Sequence, residues 1–555
     1  MNQPHPHPQE RPALTREAVL RQIQALLFEP DLPLADADNL IALGLDSLNI
    51  LRLVSLWRQA GADVTFAALI DKPCVDAWLA LLAPALAASP GTAGHAVFDS
   101  LPEPAGFDPD APFALTDVQH AYWIGRQEQQ ELGGVGCHAY IELDGAGVEA
   151  GRLESAWQLV QAQHCMLRAS FGDDGLQVVS AAPAHPRVAV HDLRGQGAAQ
   201  AEAVLGRVRE RLSHRRLAVE QGEVMGIELS LLDGGRTRIH FDVDLLVADV
   251  QSLQIILRDL AAAYAGATAP AADPQWRFAR YLAQEAQRRG PRMEQARQFW
   301  QERLASLPGA PGLPLRVAPG AVVRPTFSRR TRQLTVAQWS GLRRAAAAHQ
   351  VTPAMLLLAA YAEVLARWSG EARFLINIPL FDRQTEHPGI EEVVADFTSL
   401  LLLGCDFGAA MPFLERVRQL QAQVHADVAH AAYSGVRVQR DLARLRQGEG
   451  VAAPVVFACN LGTPLVNPQC RAALGQLGYM ISQTPQVWLD HQVYEMDGGL
   501  LLAWDAVDAL FPDGLLDDMF DAHGALIEWL VRQDGDWDMP APALLPPAQA
   551  QVRAA

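Results

Sequence analysis

The sequence predicts two unlike units, a small all-α unit of about four helices followed, after a linker, by a much larger α/β body built as two halves. Three observations carry that reading. Before residue 88 the apolar residues recur at helical spacing, residues 89–111 are dense in Gly, Pro and Ala, and beyond 112 short strand-length apolar runs interleave with longer helical ones. At 555 residues the chain has room for three or four compact units, each able to bury a core.

In the small unit, Val19, Leu20, Ile23, Leu26 and Leu27 trace one amphipathic helix, with Thr15 placed to cap it. A loop carrying Asp31, Asp36 and Asp38 leads to Gly44-Leu45-Asp46-Ser47-Leu48. Leu48, Leu51 and Val54 then mark a helix ending near Gly61, and Pro73 opens a last one through Val75, Leu79 and Leu82. In the large body, Arg238 to Asp242 alternates like a half-buried strand, and Leu253, Ile256, Leu257 and Leu260 follow as a helix. Pro353 to Trp368 reads as a long helix, Phe374 to Leu380 and Leu400 to Leu403 as buried strands. The polar, Arg-rich segment 275–305 joins the halves, and no fixed-period repeat is present.

Composition excludes several function classes. A net charge of −18 opposes nucleic acid and anionic lipid, and stretches such as Met355 to Ala362 fall short of the ~18 apolar residues a membrane span needs. Met1 to Glu10 lacks the basic cluster and apolar core of a secretory signal, so a cytoplasmic location is expected. Of the 45 basic residues only Lys72 is a lysine, which leaves no GxxxxGK[ST] phosphate loop and no candidate lysine for ATP-dependent substrate activation elsewhere. The six cysteines lie far apart without a CxxC, so neither a disulfide framework nor a metal site is suggested.

Two segments place chemistry-bearing residues at turns. Ser47 stands at the mouth of a helix, where free N–H groups would favour an attached phosphate; alternatively Asp46 or Ser47 caps the helix. In His240-Phe241-Asp242-Val243-Asp244-Leu245-Leu246-Val247-Ala248-Asp249-Val250-Gln251-Ser252, acidic groups sit where a strand turns into a helix. A carboxylate there could orient an amine, or Asp249 could cap the helix while Asp244 ends the strand.

The four-helix unit with a serine after an acidic loop resembles the carrier domains of thiotemplate synthetases, whose serine receives a 4′-phosphopantetheine arm. Asp244, Asp249 and Ser252 match the D-x-x-x-x-D-x-x-S signature that separates heterocyclisation domains from ordinary peptide condensation domains. Further matches follow in that family's order: Phe113 to Arg126, His164 to Arg168, Leu307 to Leu315, Thr352-Pro353-Ala354 with Tyr361, Asp396-Phe397-Thr398, Pro454 to Phe457, and Ser482 to Gln492. The overall wording, including Ile378 to Gln384 and Gln486 to Gln492, looks closer to the pyochelin and yersiniabactin type of siderophore synthetase. Two positions depart from the pattern. Ala458-Cys459-Asn460 replaces a usual Thr-Ser, so a hydroxyl associated with cyclodehydration is missing, and Phe381-Asp382-Arg383 replaces Phe-Asn-Arg.

The resemblance implies a nonribosomal peptide synthetase segment: residues 1–14 disordered, an aryl or peptidyl carrier over 15–88, a linker over 89–111, a heterocyclisation domain over 112–545 and a tail over 546–555. The large domain would have the two-lobed fold of chloramphenicol acetyltransferase, with lobes of about 112–290 and 291–545 and a tunnel between them. A salicyl or 2,3-dihydroxybenzoyl thioester on phosphopantetheinylated Ser47 would be condensed with a cysteinyl thioester on a downstream carrier, and the amide cyclodehydrated to a thiazoline. Asp490 is the implied proton shuttle. Asp244, Asp249 and Ser252 would shape the tunnel and support condensation, Thr398 would hydrogen-bond there, and Asn460 would partly substitute for the missing hydroxyl as a hydrogen-bonding group. The implied partners are an aryl-activating adenylation ligase, a phosphopantetheinyl transferase and the downstream cysteinyl carrier. Condensation without cyclisation, and a non-catalytic carrier and docking scaffold, are the alternatives.

Overall fold

The computed structural model describes residues 14–27, 34–41, 43, 45, 50, 53–54, 56–57, 60–87, 107–108, 110–267, 277–381, 383, 389–447, 453–462, 464–532 and 536–546. In the small unit, helix Arg16–Gln24 starts where the Thr15 hydroxyl accepts the Ala18 N–H at 3.1 Å. Ile50, Leu53, Val54, Leu56 and Trp57 are helical, and helices Phe66–Asp71 and Val75–Ala87 follow. Their apolar faces meet in one core around Val19, Ile23, Leu53, Trp57 and Trp78, the two indoles edge to face at 5.5 Å. Asp46 and Ser47 lie outside the described residues; Leu45 and Ile50 on either side are fully buried.

The large body is built on two principal sheets. Its strands, in chain order, are β1 Phe113–Ala114, β2 His138–Ala146, β3 Ala169–Phe171, β4 Leu176–Val179, β5 Ala189–Asp192, β6 Met225–Leu231 and β7 Arg236–Asp244, then β8 Ser328–Leu334, β9 Arg373–Phe381, β10 Thr398–Asp406, β11 Val455–Asn460, β12 Gln476–Gln483, β13 Leu489–Met496 and β14 Gly499–Ala506. The N-terminal sheet runs β12-β2-β7-β6-β5, the C-terminal sheet β10-β9-β11-β13-β14-β8, and β1, β4 and β3 form a small third sheet. Both principal sheets are mixed. In the C-terminal one β11 is parallel to β9 and β13 and the remaining pairs are antiparallel. Strand β12 comes late in the chain yet pairs with β2, so the C-terminal half donates an edge to the N-terminal sheet. The segment 390–397 also returns to the N-terminal core through Ile390, Val394, Ala395 and Phe397.

Segment 275–305, expected as a polar joint, holds the helices Phe278–Arg288 and Gly290–Arg303. The helix expected over Pro353–Trp368 has those bounds, with the Thr352 hydroxyl accepting the Met355 N–H at 3.2 Å and Pro353 at its first turn. It is buried along nearly its whole length, and no single helix among the described residues is long and apolar enough to cross a membrane. Strand β7 differs from the expected half-buried alternation, because from Ile239 onward both of its faces are buried. Its polar face is instead absorbed by a hydrogen-bonded network in which His240 meets the Tyr140 hydroxyl at 2.7 Å and Ser230 at 2.9 Å.

Candidate active site

Strand β13 sits near the middle of the C-terminal sheet and is fixed there by a two-residue hairpin to β14. Asp497 (φ 54°) and Gly498 (φ 76°) form the turn, both in the left-handed region that such a tight connection requires. Register then lines up Asn377, Val456, Asp490, Asp505 and Arg329 in one row across β9, β11, β13, β14 and β8, with side chains on one face. On the opposite face Phe457, His491 and Trp504 pack against Tyr361 of the helix Pro353–Trp368 and His523 of the helix Leu515–Val531.

Asp490 is 7 % exposed, and its surroundings dictate how it is oriented. Arg329 forms an ion pair with Asp505 at 2.5 Å and donates to the Gln492 carbonyl oxygen at 2.6 Å. That fixes the Gln492 amide, whose nitrogen points at Asp490 Oδ2 at 2.7 Å. Asp490 Oδ1 has no hydrogen-bond partner. Burial, reinforced by the Asp505 charge, pushes the Asp490 carboxyl up to about 7, while Gln492 and Arg329 oppose the shift. Because Oδ2 accepts from Gln492, the proton of the neutral acid belongs on Oδ1, the free atom. Ser482 at the end of β12 donates its N–H to Asp505 at 2.9 Å and ties the two sheets together beside Asp490.

The residues of the D-x-x-x-x-D-x-x-S segment are engaged differently. Asp244 forms a buried ion pair with Arg126 and accepts the Leu246 N–H at 3.1 Å. Gly136 leaves the space for that pair, since a Cβ there would lie 2.7 Å from Arg126 Nη1 and 2.9 Å from Asp244 Oδ2. Asp249 caps helix Val250–Tyr264 through the Ser252 N–H at 2.7 Å and is paired with Arg383 at 2.7 Å. The Ser252 hydroxyl donates to Ala395 O at 2.7 Å. Ser252 directly, and Asp249 through Arg383, thus bind the strand-to-helix turn to the 390–397 segment, whereas Asp244 ties the end of β7 to Arg126. Arg126 and Arg383 stood inside quoted motifs, but their partners are 118 and 134 residues away, which no local spacing reveals.

Asn460 faces the same side as Asp490 and is 7 % exposed, and neither of its amide atoms has a partner. Thr398 is half-buried and donates its N–H to Asp396 Oδ1 at 3.0 Å. Asp396 was not singled out from the sequence as a site residue, yet it is fully buried with Oδ2 unpartnered, and burial pushes its carboxyl up to about 8.

Residues 111–511 match the condensation domain family, and residues 17–82 match the phosphopantetheine attachment site family. The chain belongs to the condensation domain family. Within it, the chain is similar to the EpoB cyclization-docking bidomain of a nonribosomal peptide synthetase from Sorangium cellulosum, at 34% identity and a TM-score of 0.70 over 78% of this chain and 87% of that one. This chain is a carrier joined to a cyclization-type condensation domain, and the carrier is of the kind to which 4′-phosphopantetheine is covalently attached. The first condensation domain of the CDA synthetase, at 21% identity and a TM-score of 0.62, has the same fold.

Two longer proteins are similar over almost the whole condensation chain. Pyochelin synthetase PchE of Pseudomonas aeruginosa (strain UCBPP-PA14) is 42% identical over 99% of this chain, and phenyloxazoline synthase MbtB of Mycolicibacterium paratuberculosis is 41% identical over 93%. The chain spans only 37% and 44% of their respective lengths.

Proposed function

We propose that this chain condenses an aryl thioester with a carrier-bound cysteine and closes the resulting amide to a thiazoline, as one segment of a siderophore assembly line. As a carrier joined to a condensation domain it works with adenylation domains, a phosphopantetheinyl transferase and downstream carriers. In this reading the adenylation partner activates salicylate or 2,3-dihydroxybenzoate, Ser47 is the attachment residue, and the next carrier presents cysteine. We further take residues 15–88 as the carrier and 112–545 as the catalytic domain.

The observation that carries the reading is the Asp490 carboxyl, buried beside a fixed amide with one oxygen free. Condensation is amine attack on a thioester, for which holding both reactants together supplies up to ~7 to 11 kcal/mol. Ring closure needs more. After the cysteine thiol adds to the amide carbonyl, the new hydroxyl must leave with a proton while the nitrogen loses one. The Oδ1 proton of Asp490 goes to the departing oxygen, water leaves, and the carboxylate takes the nitrogen proton, which restores the acid. A group balanced near neutrality can do both. Asn460 lies opposite Tyr494, four residues along β11 from the neighbour of Asp490 and roughly 13 Å away, so the departing hydroxyl falls to Asp490 alone; Asp244, Asp249 and Ser252 keep the turn and the neighbouring segment rigid.

Intact-mass analysis tests this. The phosphopantetheinylated protein, loaded with aryl acid and mixed with a cysteinyl carrier, is expected to yield a product one water lighter than the amide. Asp490→Ala is expected to accumulate the amide. The amide alone from the unaltered protein would favour condensation without cyclisation, the reading that Ala458 in place of a hydroxyl residue supports. No condensation product at all would favour the scaffold. Serine or threonine carriers belong in the same assay, because the name phenyloxazoline describes a ring closed through oxygen.

A further inference from the structure

Asn460 is buried on the face of the C-terminal sheet that carries Asp490, and both the donor and the acceptor of its amide lack a partner among the described residues. A buried amide that makes none of its hydrogen bonds destabilises the fold, so this one calls for a partner from outside the chain. Its neighbours do not supply one. Tyr494, directly opposite on β13, directs its hydroxyl to Gln492 Oε1 at 3.3 Å, and Gln492 is itself held by Arg329 and Asp490. On the other side β9 ends at the apolar Phe381.

The wall between Asp490 and Asn460 is open. Register places Pro379, Leu400 and Ala458 two residues beyond the row of Asp490, and Thr398, Phe381 and Asn460 four residues beyond it, all on one face. Apart from Asn460 these residues are half-buried, whereas the same strands are buried on both faces over 374–376, 401–403 and 455–457. A chain molecule lying on this strip with one end at the Asp490 carboxyl passes Asn460 roughly 13 Å further on.

That spacing selects the group that Asn460 meets. An aryl ring or a cysteine side chain ends within ~6 Å of the amide being formed, well short of Asn460. A 4′-phosphopantetheine arm is a chain with two secondary amides, each offering one N–H and one C=O, the complement of an Asn amide. At ~1.2 Å per bond along an extended chain, the inner amide of an arm comes ~5 to 8 Å from the reacting carbonyl and the outer amide ~9 to 13 Å.

We propose that Asn460 is a binding residue for the outer amide of a carrier-borne pantetheine arm: its carbonyl oxygen accepts the N–H of that amide and its NH2 donates to the C=O. Pro379, Leu400 and Ala458 give the methylenes of the arm an apolar surface. No bond to Asn460 is made or broken in the reaction. The inference rests on the reading that carrier-bound thioesters react at Asp490.

Isothermal titration calorimetry on the full chain, before an arm is attached to it, tests this without turnover. The probes are non-reactive thioether mimics of cysteinyl pantetheine and of salicyl pantetheine, each made also with the outer amide replaced by an ester and with the inner amide so replaced. An ester of the same length lacks the N–H and leaves the Asn460 oxygen unpaired. The outer ester is expected to bind about tenfold more weakly than the amide, and the inner ester within about twofold of it. Sensitivity in the cysteinyl set assigns the site to the arm of the downstream carrier, and sensitivity in the salicyl set to the donor arm; either upholds the proposal. Asn460→Leu, similar in size but without an amide, should bring the amide and the outer ester to within about twofold of each other. Equal binding of amide and outer ester to the unaltered protein in both sets, or a discrimination that survives Asn460→Leu, would overturn the proposal. The first of these comparisons needs no variant and stands whether or not Asn460→Leu folds. Ring closure plays no part in the readout, so an unaltered protein that yields only amide product defeats the heterocyclisation reading and leaves this assignment in place.

Discussion

Two sets of buried aspartates in this molecule differ in what stands beside them. Asp249 and Asp505 each face an arginine at 2.7 Å or less, with further hydrogen bonds to backbone N–H groups. Asp490 and Asp396 are also buried but form no ion pair with an arginine among the described residues, and each, like Asp249, has one oxygen with nothing bonded to it. The first set holds strands and turns together; the second retains a proton near neutral pH. Burial alone makes neither a joint nor an acid, and the arginine decides which. Asp244 is the intermediate case, paired with Arg126 yet raised by its burial.

The largest expected effect separates the sets by chemistry. Asp490→Asn keeps the size of the side chain and an acceptor for Gln492 but cannot shuttle a proton, so ring closure should fall by ~10² to 10⁴ with a much smaller change in stability. Arg383→Met should do the reverse in kind. It leaves the Asp249 charge buried without its cation, at a cost of about 3 to 5 kcal/mol in urea unfolding. Adding Asp249→Asn should recover a large part of that loss, because the charge is removed with its partner. A single variant Arg383→Met as stable as the parent would break the distinction drawn above.

The pH dependence of stability sharpens the comparison further. Asp490 and Asp396 titrate at about 7 and about 8 in the folded chain, above the ordinary carboxylate value near 3.8. Their contribution is complete below that ordinary value and is lost as pH rises through 7 and 8, since the unfolded chain has already released those protons. His491, pushed down to about 4 by burial, acts in the opposite sense: stability falls as pH drops from about 6.5 toward 4. Above pH 6.5 the carboxyls act without that opposition. Unfolding free energy should therefore decline between pH 6.5 and 8.5, by at most about 1.4 kcal/mol per pH unit for each carboxyl, and Asp490→Asn with Asp396→Asn should flatten the decline.

What the sequence makes legible follows the same division between local and distant causes. The Thr15 and Thr352 caps and the helix Pro353–Trp368 depend on neighbours three or four residues away, so spacing alone finds them. Asp490 stands out because its motif comes in the right place in an ordered series. The pairing of β12 with β2 and the choice of Arg126 and Arg383 as partners depend on contacts more than a hundred residues apart, among many arginines. Asp396 was in view inside a quoted motif, but its raised carboxyl comes from burial beside the Asp249 charge, a property of packing that no spacing encodes.

The smallest expected effect checks that burial, and not pairing as such, gives the arginine its weight. Arg316 and Asp513 form an ion pair at 2.8 Å with the carboxylate 95 % exposed, a geometry as close as that of Arg383 and Asp249. Water already solvates both of these charges, so Asp513→Asn strands nothing in the interior and gives up only a screened attraction. The change in urea unfolding should stay below about 1 kcal/mol and shrink further in high salt. A loss comparable to that of Arg383→Met would mean that distance between partners, rather than their removal from water, sets the strength of the buried joints.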